Sequence, residues 1–163
     1  MEKEYIKYNK IVKPNFKLLY YLNYYDGPIT GMVEININNI KNIYWFSKCD
    51  EQINYNEDEF TDNDEIELYP YLNPEDVDET DNSPEWYRRY TIHELTIEDI
   101  NEEIKDHDIF RFYVGLHTDY DDNGNRLTYH MNSNHNYKEY LNQCKNNKLK
   151  NYKNNNIIGW FEL

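Results

Sequence analysis

Hydrophobic and polar positions along the chain fall into short runs, mostly with a period of two, separated by clear turn signals. Residues 16–25 (FKLLYYLNYY) form an aromatic run that meets Asp26-Gly27-Pro28, a strong turn sequence in which Pro28 interrupts ladder pairing. In 30–37 the apolar Val33, Ile35 and Ile37 share one face, and Asn38-Asn39 then turns the chain into 40–48 (IKNIYWFSK). These three runs predict an antiparallel meander. Residues 65–72 (EIELYPYL) read as a further strand, confined to an edge or an end by Pro70.

Ser83-Pro84 looks like an N-cap followed by a first-turn proline, and predicts a short helix over 86–90. Thr96 can cap a second helix over 97–107, with Ile97, Ile100 and Ile104 at helical spacing and Glu98 and Asp99 at its positive end. Phe110, Phe112 and Val114 alternate as a strand would, and Asp122-Asn123-Gly124 turns the chain into 126–131 as a second hairpin. Residues 137–148 place Tyr137, Tyr140, Leu141 and Cys144 on one helical face, and 157–163 (IIGWFEL) read as a closing strand inside the sheet. Hairpins with helices grouped between them predict an α+β fold in one globular domain, mainly antiparallel sheet with two or three helices.

Composition changes this picture little. Of 163 residues, 17% are aromatic, which argues against disorder, and 18 of those rings are tyrosines suited to half-buried faces. Alanine is absent, while Asn, Lys, Tyr and Ile abound; their shared AT-rich codons are a sufficient reason. The N-terminal MEKEYIKYNK lacks the apolar core of a signal peptide, and no run is long enough to span a bilayer. Cys49 and Cys144 form no CxxC pair or disulfide framework, so a reduced, cytoplasmic protein is expected; a Cys49–Cys144 bridge would require an oxidising compartment.

Charge changes it more. The net charge of −14 is carried almost wholly by residues 49–87, which hold 15 Asp and Glu and no Lys or Arg, against 16 acids and 17 bases elsewhere. One reading is a solvated, partly loop-like segment whose charge serves solubility. The other is a docking face for a basic protein, built on Glu57, Asp58, Glu59, Asp62, Asp64, Glu65, Asp76, Asp78 and Glu79. Direct binding of nucleic acid through this face is disfavoured, since phosphates would be repelled.

Candidate chemistry is sparse. Asp119, Asp121, Asn123 and Gly124 match the first half of a calcium loop, but His130 stands where the bidentate Glu belongs, and a hairpin turn accounts for the same residues. His117 and His130 flank that hairpin near Asp119 and make an alternative metal-dependent site, without a recognised zinc motif. There is no nucleophile elbow, phosphate loop or dinucleotide glycine pattern, and Asp50-Glu51 would raise the Cys49 thiol pKa. No cofactor is expected.

The stretch YYDGPITGMVEI (24–35), followed by IYWFSKCDE (43–51), resembles a group of small, uncharacterised bacterial proteins that open with a strand, a YYDGPxxG-like turn and a second strand. The matching residues are Tyr24, Tyr25, Asp26, Gly27, Pro28, Gly31, Tyr44, Trp45, Phe46, Asp50 and Glu51, about the first third of the chain. The resemblance implies a bacterial origin and brings no activity with it. The expectation that follows from the charge map is a non-enzymatic binding or inhibitor protein, immunity-like or mimicking nucleic acid. The metal-dependent reading and a housekeeping domain stand as alternatives.

Overall fold

The computed structural model describes residues 3–25, 27–52, 86–116, 118–127, 130–131, 135–143 and 150–163. The fold is α+β. A five-stranded antiparallel sheet is built from β1 (Phe16–Tyr24), β2 (Pro28–Ile37), β3 (Ile40–Gln52), β4 (Tyr87–His93) and β7 (Ile157–Glu162), in that spatial order. Between β4 and β7 lie α1 (Ile97–Tyr113), the two-residue strands β5 (Gly115–Leu116) and β6 (His130–Met131), and α2 (Tyr137–Gln143).

The expected meander is present. Asn38 and Asn39 both adopt left-handed backbone (φ 53° and 64°), the pairing of conformations that a two-residue hairpin turn demands, and Ile37 pairs with Ile40 across it. Pro28 opens β2, where its missing N–H costs no interior ladder bond, and its carbonyl accepts from the buried Tyr90 hydroxyl (2.7 Å).

Both faces of the sheet are buried. Phe16, Leu18, Val33, Ile35, Phe46, Tyr90, Ile92 and Phe161 form one cluster, while Tyr20, Met32, Trp45 and Tyr152 form another. In β1 the register shifts between Leu18 and Tyr20, so these residues serve different clusters although they are two apart. Gly31 makes the tight pairing at this point possible: a Cβ there would lie 2.5 Å from both the Tyr20 carbonyl and the Phe46 ring.

Neither sheet edge is bare. Beside β7, Ile11 N–H donates to the Trp160 carbonyl (2.7 Å) and Trp160 N–H to the Asn9 carbonyl (3.0 Å). Beside β1, Tyr21 N–H donates to the Thr118 carbonyl (3.1 Å) and Tyr120 N–H to the Leu19 carbonyl (3.3 Å). Such cover removes a template for edge-to-edge association. It also carries Thr118 and Asp119 to the sheet.

Several expectations need correction. Residues 86–90 are not helical: Tyr87–His93 is strand β4, with Tyr90, Thr91, Ile92 and His93 all buried between β3 and β7. Pairing on both sides overrides a local capping signal. Phe110 and Phe112 are not strand residues either, because α1 continues to Tyr113 and Val114 N–H donates to the Phe110 carbonyl (2.8 Å). The expected hairpin over 126–131 reduces, among the described residues, to a Tyr120–Arg126 bridge and the short β5–β6 pair. The last helix is described as far as Gln143, and the closing strand pairs with β4. The strand expected over 65–72, Ser83, Pro84 and Cys144 lie outside the described residues.

Candidate functional site

α1 starts as its sequence predicts. The Thr96 side chain accepts from Asp99 N–H (3.1 Å), and Glu98 and Asp99 occupy the first turn. Its orientation is another matter. Ile97 is 75% exposed and Phe112 equally so, while Glu103 and His107 are buried. Burying an isoleucine or phenylalanine contributes about 1.5–3 kcal/mol, so turning a carboxylate and an imidazole inward instead gives up stability. That arrangement marks the inner face of α1 as a polar wall.

Three walls enclose a cleft of about 410 Å³. Glu103, Asp106, His107 and Phe110 line it from α1, at spacings that share one helical face. Tyr21, Leu22 and Thr118 line it from the sheet edge, Tyr137, Tyr140 and Leu141 from α2, and Lys150 from the stretch before β7. α2 is tied to α1 by Asn136, whose N–H donates to the Tyr113 carbonyl (2.8 Å) and whose side chain accepts from Glu139 N–H (3.0 Å). Phe110 and Tyr140 meet edge to face, with centroids 5.2 Å apart.

Behind the α1 wall sits a buried ionic cluster. His107 Nε2 donates to Asp119 Oδ1 (2.9 Å), Arg111 Nε donates to the same oxygen (3.1 Å), and an Arg111 terminal nitrogen pairs with it as well. Burial works to raise the Asp119 pKa, but the bonds from His107 and Arg111 prevail and hold it below the usual carboxylate range. The Tyr20 ring stacks on His107 at 3.7 Å, with 7° between the planes.

The cleft's own carboxylates behave in the opposite way. Burial pushes the Glu103 pKa up, against a 2.7 Å hydrogen bond from the Tyr152 hydroxyl. Burial, then the charge of Glu102, pushes Asp106 up. Lys150 is paired with Glu102. Thr118 is nine-tenths buried, and its Oγ1 has no hydrogen-bond partner.

The residues picked from sequence are placed as follows. Asp119 is committed to His107 and Arg111, 12 and 8 residues earlier, and not to the turn. Asp121 Oδ1 accepts from Asn123 N–H (2.8 Å) and Asn125 N–H (2.9 Å), which caps the turn that Gly124 completes at φ 81°. Asn123 is exposed. Among the described residues no three His, Cys, Asp or Glu side chains converge as a metal site. His117 lies outside the described residues, and for His130 only the backbone is described, paired with Leu116. Glu57, Asp58, Glu59, Asp62, Asp64, Glu65, Asp76, Asp78 and Glu79 also lie outside them.

Cys49 is exposed as a residue, but its sulfur packs on the Arg89 carbonyl (3.4 Å), and burial, then Asp50, pushes its thiol up to about 11. It is a thiol, not a thiolate, at neutral pH. His93 is buried and structural: Nδ1 donates to the Asn155 carbonyl (3.1 Å), so in the neutral ring Nε2 accepts from the Thr91 hydroxyl (2.8 Å).

The acidic segment is anchored at both ends. Gln52 pairs with Tyr87, so residues 53–86 leave and return at one end of the β3–β4 pair. The acids at its base are matched by bases: Asp50 binds Lys3 (2.6 Å) and accepts from Tyr5 (2.7 Å), and Glu51 binds Lys48 (3.0 Å). No helix among the described residues is long and apolar enough to cross a membrane. No protein-family model, curated protein or solved structure matches the chain.

Proposed function

We propose that the chain is a non-enzymatic binding protein, working in the cytoplasm, that docks a basic protein partner through its acidic segment. The observation that carries this reading is the segment's charge together with its anchorage: 15 acids and no Lys or Arg between 49 and 87, tethered by paired ends at one place on the sheet. Asp50 and Glu51 are matched by neighbouring bases, and the other 13 acids of the segment fall within residues 53–85, a stretch without Lys or Arg. A one-signed field concentrated there would speed encounter with a positive surface and select against acidic partners. Inhibition of a basic toxin, or occupation of a nucleic-acid-binding surface in place of phosphates, are functions such a segment would serve.

The test pairs two sets of neutralised variants. One replaces Glu57, Asp58, Glu59, Asp62, Asp64 and Glu65 by their amides. The other replaces the exposed Glu4, Glu94, Glu98 and Asp108. Capture of basic proteins from lysate, and binding of a lysine-rich polypeptide, are measured at about 50 mM and about 500 mM salt, conditions that span strong and weak screening. Binding should be lost at high salt, and lost far more per charge removed with the segment variant than with the other. Equal losses per charge, or binding indifferent to salt, would overturn the reading in favour of charge that serves solubility alone.

A further inference from the structure

Asn123-Gly124 is the sole Asn-Gly pair in the chain; every other asparagine is followed by a residue that carries a side chain. In an Asn-Gly pair the glycine main-chain nitrogen can close on the asparagine side-chain carbonyl, because no Cβ on the second residue shields it. The turn itself selects that residue, since Gly124 stands at φ 81°. Asn123 is exposed, and its side-chain amide makes no hydrogen bond among the described residues.

The charges around the pair bear on the rate, because the closing nitrogen must first lose its proton. That N–H donates to the Asp121 carbonyl (3.1 Å), and one exposed bond of this kind slows the step by about tenfold at most. Asp121 and Asp122 also oppose negative charge, but both are engaged. Asp121 Oδ1 accepts from the N–H groups of Asn123 and Asn125, and Asp122 is paired with Lys17 (2.9 Å). Lys13 acts the other way. Its ammonium lies 3.8 Å from where a Cβ on Gly124 would stand, and it makes no ion pair among the described residues. Lys13, Lys17, Asp122, Asn123 and Gly124 line one pocket of about 290 Å³, so the pair and the two ammonium groups share one space.

We propose that Asn123 is a site of self-modification, in which the Gly124 nitrogen displaces the side-chain amide of Asn123 and the Lys13 ammonium offsets the charge on that nitrogen. Hydroxide takes the Gly124 amide proton, the nitrogen bonds to Asn123 Cγ, and the Cγ–Nδ2 bond breaks. Ammonia leaves with a proton from water, which regenerates hydroxide. A second water then opens the cyclic imide at either carbonyl, giving an aspartate or, with the main chain rerouted through Cβ and Cγ, an isoaspartate. Either product adds a negative charge beside Lys13. The isoaspartate also inserts a methylene into a turn closed by Asp121 N–H on the Asn125 carbonyl (2.8 Å). Leu127 N–H bonds the Asp119 carbonyl (2.9 Å) just beyond that turn, so the altered chain holds the 118–120 cover of β1 less firmly.

The experiment incubates the full chain in mildly acid and mildly alkaline buffer made with water labelled with heavy oxygen, and follows the tryptic peptide 112–126 by mass spectrometry. The peptide should gain the mass of an amide-to-acid exchange with one heavy oxygen, localised by fragmentation to Asn123, and faster in the alkaline buffer. Two products should separate, with isoaspartate in excess. Lys13→Gln should slow the change about threefold, and Asn123→Gln should abolish it. Both positions are exposed, so neither replacement disturbs the core. The peptide acetyl-Asp-Asn-Gly-Asn-amide serves as the clock. An intact Asn123 after the peptide has converted, aspartate without isoaspartate, or an unchanged rate in Lys13→Gln would overturn the proposal.

Discussion

Asp119 has a side chain 1% exposed and ionised, with one oxygen shared between His107 and Arg111. Replacing it by Asn leaves the isosteric shape but removes the charge that both donors face. Hydrogen bonds to charged groups contribute about 1.5–3 kcal/mol each, and Arg111 is partly open to water, so Asp119→Asn should cost about 2–3 kcal/mol in urea unfolding. Because its folded pKa is depressed, the stabilisation from Asp119 is complete above the usual value of 3.8 and is lost as pH falls through the folded value. His93 acts in a separate window. Burial lowers its pKa from 6.5, so below about pH 6.5 the unfolded chain takes up a proton that the folded chain refuses. Stability should therefore fall as pH drops through that range, and His93→Gln should flatten that limb while costing about 1–3 kcal/mol at pH 7.5. Urea midpoints measured from pH 7.5 down to pH 3 separate the two residues.

At the scale of elements, the β1 bulge governs which wall of the molecule receives Tyr20, and Gly31 is its counterpart across the ladder. A methyl group at Gly31 would meet a backbone carbonyl and a fully buried ring, neither able to withdraw. Gly31→Ala should cost about 2–3 kcal/mol, and near-ultraviolet dichroism should report the displaced Tyr20–His107 stack. The β1–β3 meander was legible because its turns and its period of two are local properties. β4 was not: the burial of Tyr90 and Ile92 is imposed by β3, with the 53–86 segment between them, and by β7, some sixty residues later. The helical start at Thr96 could be read from a cap, but the buried face of α1 could not. Ile97, Ile100 and Ile104 have the spacing of a core stripe, whereas Glu103 and His107 are the residues turned inward. One signal for the site was there to be read. His107 and Arg111 stand four apart and can converge on a single carboxylate, but Asp119 also fits the turn that follows it, so its position in the sequence does not single out that pairing.

At the scale of the molecule, the acidic segment leaves and rejoins the sheet at one end of the β3–β4 pair, and the sheet does not need a long connection there. Gln52 and Tyr87 are directly opposed partners, and a two-residue Asn-Gly turn is the natural closure between such residues. The clusters on both faces draw on β1–β4, β7 and Tyr152. Replacing residues 53–86 by Asn-Gly should therefore leave a cooperatively folded chain, with the aromatic dichroism of Trp45 and its neighbours retained. Removing 13 acids and no Lys or Arg would also bring the chain close to neutrality, relieving self-repulsion at low salt. The shortened protein should lose salt-sensitive binding of a lysine-rich polypeptide. Polypeptide binding that survives the deletion would remove the segment from the binding function altogether.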